Sequence, residues 1–444
     1  MTKKKLTVEE TAALEALQGV DVPDQIRNNM ALFLRLVRKV LEEADQDLRA
    51  IFDVLLFDAI LMNDDADENP EEHEAFEDMA SIITELDDKN TTLLMRAFVT
   101  FFHLANTCEE NYRVKSLRKR ESEVPVGDPD DPINDLTVAY HQLVDECGRG
   151  KANALLNRLE FHPVFTAHPT EARRKAVEGK IRRIAGLLEQ HEGLGGIALL
   201  DNERRLLQEI DALFRTSPIA HKKPTPVEEA DTIIDIFDST LFEMVPEVYR
   251  RFDDWELGDK AGTVPPVCPA FFHPGSWIGS DRDGNPNVTA KVSRKVAEKF
   301  RTHMLGALAD STLAIGRNLT MDGISTEPSD KLVNLWNHQC EMSEAITTRA
   351  IGISASELHR ACMIVISERL RATIVRTADI MYSSCDDFIN DLRIVQESLA
   401  AAGAARTAYG PVQKLIWQAQ TFGFHMVEME FRQHSVVHSR ALAD

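Results

Sequence analysis

Residues Phe165–Lys175 read FTAHPTEARRK. The run that leads into them, PVFTA at Pro163–Ala167, is short and apolar, and a helical pattern follows at Ala172–Gln190 through Val177, Ile181, Ile184 and Leu188. That is the order strand, turn, helix. Pro169 pushes His168 into extended backbone, so the imidazole is held at a fixed place off the strand end. Thr170 is suited to cap the next helix, whose first amides favour an anion. Arg173 and Arg174 stand in the first turns, against the helix dipole, which suggests an anionic partner. A structural histidine with surface arginines is the plain alternative.

Two more segments break an otherwise helical pattern in the same way: AFFHPGSWI at Ala270–Ile278 and MVEMEF at Met426–Phe431. Each is apolar or alternating and runs into a polar turn. In barrels of alternating strands and helices the chemistry sits at the C-terminal strand ends, so the residues closing these segments are the candidates. The rest is read as helix: Leu93–Lys119 by its apolar period, and long segments near 207–216, 227–250, 290–320, 330–350, 356–382 and 386–421. Asn63–Glu77 (NDDADENPEEHEAFE) and Ser122–Asn134 (SEVPVGDPDDPIN) read as loops. No fixed-period repeat suggests a solenoid.

Composition narrows the function. Of 444 residues 43% are hydrophobic and 27% charged, which suits a large core. Fifty basic against 72 acidic residues leave a formal charge of −22, a surface that repels nucleic acid and anionic lipid. An anionic substrate would need a local basic site. MTKKK has no apolar run behind it and Ile51–Met62 is too short to span a bilayer, so neither a signal peptide nor a membrane span is expected. Six scattered cysteines without a CxxC pair suit reduced thiols in a cytoplasm.

The turn GSWIGSDRDGNPNVT, Gly275–Thr289, crowds Asp281, Arg282 and Asp283 beside Trp277, with Gly279, Gly284 and Pro286 to tighten it and Asn287 or Thr289 to cap the next helix. Its spacing does not fit a calcium loop: from Asp281, glycine falls too early and Val292 stands where a glutamate is needed. A salt-bridged structural turn and a catalytic one both remain open. In MVEMEFRQHSVVHSR, Glu428, Glu430 and Arg432 share a strand face by the period of two. Arg432 closes the strand, where a guanidinium fork could grip a phosphate or carboxylate; pairing with a glutamate is the alternative. His434 and His438 lack the glutamate of a zinc protease motif. Dinucleotide, Walker and nucleophile-elbow motifs are absent.

Taken together, VFTAHPTEARR, GSWIGSDRDGNPNVT and FGFHMVEMEFRQHS resemble, in order, the signatures of the phosphoenolpyruvate carboxylase family, with weaker likeness in LMRAFVTFFHLAN (Leu94–Asn106) and LFRTSPIAHKKPTPVEEA (Leu213–Ala230). The resemblance implies a mainly α-helical α/β fold, a partial (β/α)8 TIM-type barrel with extensive helical insertions. It implies an N-terminal helical region at 1–135 and, at 136–444, the first part of the barrel, truncated before its remaining strands.

The activity it implies is that of a carboxy-lyase. Bicarbonate is added to phosphoenolpyruvate to give oxaloacetate and phosphate through carboxyphosphate and the enolate of pyruvate, an anaplerotic carbon fixation feeding the tricarboxylic acid cycle. It implies His168 as the catalytic histidine, Arg432 as the holder of the substrate phosphate, Trp277 as lining near the bicarbonate or methylene carbon, and Arg173 and Arg174 as a sugar-phosphate effector site. Mg2+ or Mn2+, a homotetramer and a cytoplasmic location follow from the same resemblance.

The sequence departs from the family pattern at four places: Ser280 for a glycine, Phe214 for tryptophan, Glu430 for aspartate and Ala220 for arginine. Family members are also much longer, so the metal ligands are expected in a missing C-terminal half and the fragment alone is expected to be inactive. The rival reading is a non-catalytic helical partner or assembly module of the same fold. Another phosphate-binding barrel enzyme is a third.

Overall fold

The computed structural model describes residues 22–61, 70–123, 136–166, 175–217, 225–283, 287–352 and 356–443. By contacts the chain divides into two compact units, one of residues 1–138 and 171–223, the other of 139–170 and 224–444.

The first unit is helical: Asp24–Ala44, Gln46–Leu61, Pro70–Glu85, Asp88–Glu123, Lys175–His191 and Gly196–Arg215. Asp24–Ala44 is strongly amphipathic and buries Phe33, Leu34, Val37 and Leu41. These join Phe52, Phe101, Leu104, Ile184, Leu206 and Ile210 in one core. Inside it the Arg38 guanidinium donates to the Asp53 carboxylate at 2.7 Å, because a buried charge needs a partner. The helix Pro70–Glu85 corrects the reading of Asn63–Glu77 as a loop. Proline at a first helical position followed by glutamates is a helix start in spite of the acidic composition.

The second unit is built around the helix Ala290–Asn318, capped by Thr289, whose hydroxyl accepts from the Val292 amide. The helix Leu358–Val375 crosses it closely at Gly316, where an added Cβ would lie 3.0 Å from the Met363 Cβ. Phe237, Phe300, Leu308, Ile366, Phe388, Trp417 and Phe422 fill the core. The segments read as continuous helix near 330–350 and 386–421 each break in two. Ser343 ends Asp330–Met342 before Glu344–Ile351. Gly403, at φ 87°, turns the chain after Cys385–Ala401, and a π-helical turn at Ala408–Val412 accommodates Pro411 before Gln413–Phe422.

One small sheet interrupts the helices. Its strands are β1 (Val164–Phe165), β2 (Gly275–Ser276) and β3 (Glu428–Met429), all parallel, in the order β1-β2-β3. They fall inside the three segments singled out from sequence. Val164 pairs with Gly275 and Gly275 with Glu428; Phe165 pairs with Ser276 and Ser276 with Met429. The protein is thus mainly helical with a small parallel sheet. Asp253, fully buried, shapes the approach to β2 by accepting from the amides of Val267 (2.8 Å) and Cys268 (3.1 Å). Tyr249 donates or accepts with Thr421 at 2.8 Å and accepts from the Phe272 amide. No helix among the described residues is long and apolar enough to cross a membrane.

Candidate functional site

The C-terminal ends of the three strands lie side by side because the strands are parallel and in register. Phe165 and Met429 pack against the helical core, while Val164 and Glu428, on the opposite face by the pleat, are exposed. After β2 the chain turns at once: the amides of Ser280 and Asp281 both donate to the Trp277 carbonyl at 2.9 Å. Gly279 adopts φ 72° in this turn, and an added Cβ would come within 2.6 Å of a Val296 methyl. Glycine is required there on both counts. The turn is thereby seated on the helix Ala290–Asn318.

Beyond β3 the backbone leans on this turn. The Glu430 amide donates to the Ser276 carbonyl (2.9 Å), the Arg432 amide to Ser280 (3.3 Å) and the Arg282 amide to Arg432 (2.9 Å). Asp281 and Arg432 form a further parallel bridge. Two of the sequence candidates are brought together by this arrangement. The Arg432 guanidinium stands over the Trp277 ring, 4.4 Å from its centre, within cation–π range.

Among the described residues no carboxylate pairs with Arg432, and Asp281, Arg282 and Asp283 form no ion pair with one another. Arg282 instead donates to the Ser293 hydroxyl (3.3 Å) and lies 5.6 Å from the Phe431 ring centre. Two buried N–H groups, Trp277 Nε1 and Arg282 Nε, find no acceptor among the described residues. Buried donors demand acceptors. Arg432 itself is exposed. Among the described residues the strand ends thus carry an exposed guanidinium, that of Arg432, and two buried N–H groups without an acceptor.

His168, Arg173 and Arg174 lie outside the described residues, as do Gly284, Pro286 and Ala220, so their readings are carried forward only as proposals. Phe214 is buried in the first unit's core. His434 accepts from the Val436 amide at 3.2 Å. No cluster of three His, Cys, Asp or Glu groups among the described residues could hold a metal ion. Three surface cavities lie elsewhere, one beside Arg96, His103 and Phe214, one beside Asp231, Lys295 and His303, and one beside Asn28 and His191.

At the opposite end of the strands the His162 and His273 rings stack, 4.9 Å between centres and 29° apart in plane. His162 also reaches Glu428 at 3.4 Å. Both belong to a Phe-His-Pro tripeptide, at 161–163 and 272–274, and Phe161 bridges Phe272 in register. The repeated tripeptide is a signal that could have aligned β1 with β2 from sequence alone. Ser280 and Arg282 were the other residues passed over, noted only as a departure and as part of a charged turn.

The model of the phosphoenolpyruvate carboxylase family matches residues 26–444. The chain belongs to that family. Among its relatives, the phosphoenolpyruvate carboxylase of Roseiflexus castenholzii is 32% identical over 372 residues, 79% of this chain and 39% of the relative. That of Rhodopseudomonas palustris is 27% identical over 442 residues, 98% of this chain and 46% of the relative. That of Ralstonia nicotianae is 29% identical over 398 residues, 84% of this chain and 38% of the relative. The chain spans less than half the length of each of these curated relatives.

Proposed function

We propose that the chain acts as part of a phosphoenolpyruvate carboxylase, joining bicarbonate to phosphoenolpyruvate to form oxaloacetate and phosphate. The observation that carries this reading is the Arg432–Trp277 stack at the parallel strand ends, in a turn where the N–H groups Trp277 Nε1 and Arg282 Nε find no acceptor among the described residues. Family membership gives that anion site its chemistry. Arg432 would grip the phosphate of phosphoenolpyruvate, Trp277 would keep water from the reacting carbon, and His168, three residues beyond β1 in sequence, would take the proton of the carboxyphosphate. The phosphoryl group and the enolate are both anionic, so fixed cations aimed at them supply a large electrostatic share of the rate. Exclusion of water protects both from hydrolysis or protonation. Arg173 and Arg174 would bind a sugar-phosphate effector.

The same reading takes the sheet as the opening of a (β/α)8 barrel that begins at residue 136, with 1–135 as a helical region before it. Three parallel strands in chain order, each leading into helix and covered by helices on one face, support it. The family's Mg2+ or Mn2+ has no fitting ligand set among the described residues, so no step is assigned to it in this chain. A homotetramer, a cytoplasmic location and a role in feeding the tricarboxylic acid cycle belong to the proposal.

The test is a coupled assay for oxaloacetate from phosphoenolpyruvate, bicarbonate and magnesium. It is run on this chain and on the product of its full reading frame. In the active product, Arg432→Ala is expected to lower kcat/KM by on the order of 100- to 1,000-fold, and His168→Asn to abolish turnover. Unchanged turnover in either variant overturns its assignment. No turnover in any product favours the non-catalytic helical module.

A further inference from the structure

We infer that Ser280 is a positioning residue for Arg432, fixing the guanidinium over Trp277 through its hydroxyl. The inference rests on the reading of Arg432 as the anion-holding group and extends it to a buried residue of the neighbouring turn.

Regular pairing ends at Met429, and among the described residues four hydrogen bonds hold the three residues from Glu430 to Arg432. Three are backbone to backbone: Glu430 to Ser276 at 2.9 Å, Arg432 to Ser280 at 3.3 Å, and Arg282 to Arg432 at 2.9 Å. The fourth and shortest is made by a side chain: the Ser280 hydroxyl donates to the Glu430 carbonyl at 2.7 Å. Ser280 is completely buried. A buried hydroxyl persists only where it is bonded, so this contact is a built element of the turn.

The tie continues a chain of fixed placements. Gly279, at φ 72°, lets the turn settle on Val296 of the helix Ala290–Asn318. Ser280 passes that position to the Glu430 carbonyl, and Arg432 follows two residues later over Trp277 at 4.4 Å. The Arg432 amide bond, at 3.3 Å, is longer than the usual range, while the hydroxyl bond has the usual length for its type. Glycine at 280 could make the backbone bonds but not this one, and would add backbone freedom beside Gly279.

The chain has four tryptophans, so the protein labelled with 5-fluorotryptophan gives four 19F resonances, with Trp277 assigned by Trp277→Phe. Ser280→Ala and Ser280→Gly are both expected to move or broaden the Trp277 resonance toward its position in Arg432→Ala. The resonances of Trp255, Trp336 and Trp417 should stay in place. Titration with phosphoenolpyruvate, and separately with inorganic phosphate, followed on the Trp277 resonance, should show a half-saturating concentration raised about 5-fold in Ser280→Ala, the loss of one neutral hydrogen bond.

An unchanged Trp277 resonance in both variants overturns the inference. Movement of all four resonances together also overturns it, since that reports general loosening. If neither anion perturbs wild-type Trp277, the anion reading of Arg432 fails. In that case the ligand-free spectra still decide whether Ser280 sets the stack.

Discussion

On one face of the sheet Phe165 and Met429 press into a core that includes Phe300, Trp417 and Phe422; on the other, Val164 and Glu428 are exposed. The backbone between these faces is the same two-residue strand in each case. The difference teaches that the pleat divides residues that hold the core from residues left open to solvent. Residues alternating along β1 and β3 serve one or the other, and a substitution should disturb one with little effect on the other.

The largest disturbance should come from the covered side. Phe300 is fully buried in the core against which Phe165 and Met429 pack, and Phe300→Ala is expected to destabilise by about 3–5 kcal/mol, read as a lower urea midpoint. An unchanged midpoint would remove the distinction between the faces. A somewhat smaller effect should follow from pH. His359 is buried in the second unit, bonded to the Ser398 hydroxyl at 2.9 Å, and burial lowers its pKa from 6.5 to about 4. The unfolded chain then binds the proton more readily than the folded one. Stability from this group is complete above pH 6.5 and falls as pH drops toward 4, by about 3 kcal/mol in all. Urea titrations at pH 7 and pH 4.5 on wild type and His359→Gln should show a smaller pH loss in the variant; equal losses would place the acid sensitivity elsewhere. The smallest effect belongs to the open face: Val164→Thr should change stability by about 0.5 kcal/mol or less. A larger loss would mean that this face is covered after all.

Much of this was legible in the sequence, for reasons that can be named. The three strands stood out because apolar runs without helical period precede turn residues in PVFTA, AFFHPGSWI and MVEMEF. Their extent did not, because Pro163 and Pro274 cut the pairing short, a matter of missing donors rather than of hydropathy. Pro70–Glu85 was hidden by its acidity, although a proline followed by glutamates is a good helix start. The stacking of Arg432 on Trp277 could not be read, since 155 residues separate them and only the parallel register brings them together; the same holds for Ser280 and the Glu430 carbonyl.

Those two prolines stand side by side, one residue before the Val164–Gly275 pair. Their carbonyls are used, Pro163 accepting from Gly275 and Pro274 from Glu428, each at 2.8 Å, but neither can donate in return. The missing donors line up as a crease across the ladder. On one side of it lie the stacked imidazoles of His162 and His273, on the other the arginine and indole of the strand ends. Disorder that begins at the entrance of the sheet therefore meets a break in the bonding before it reaches the exit.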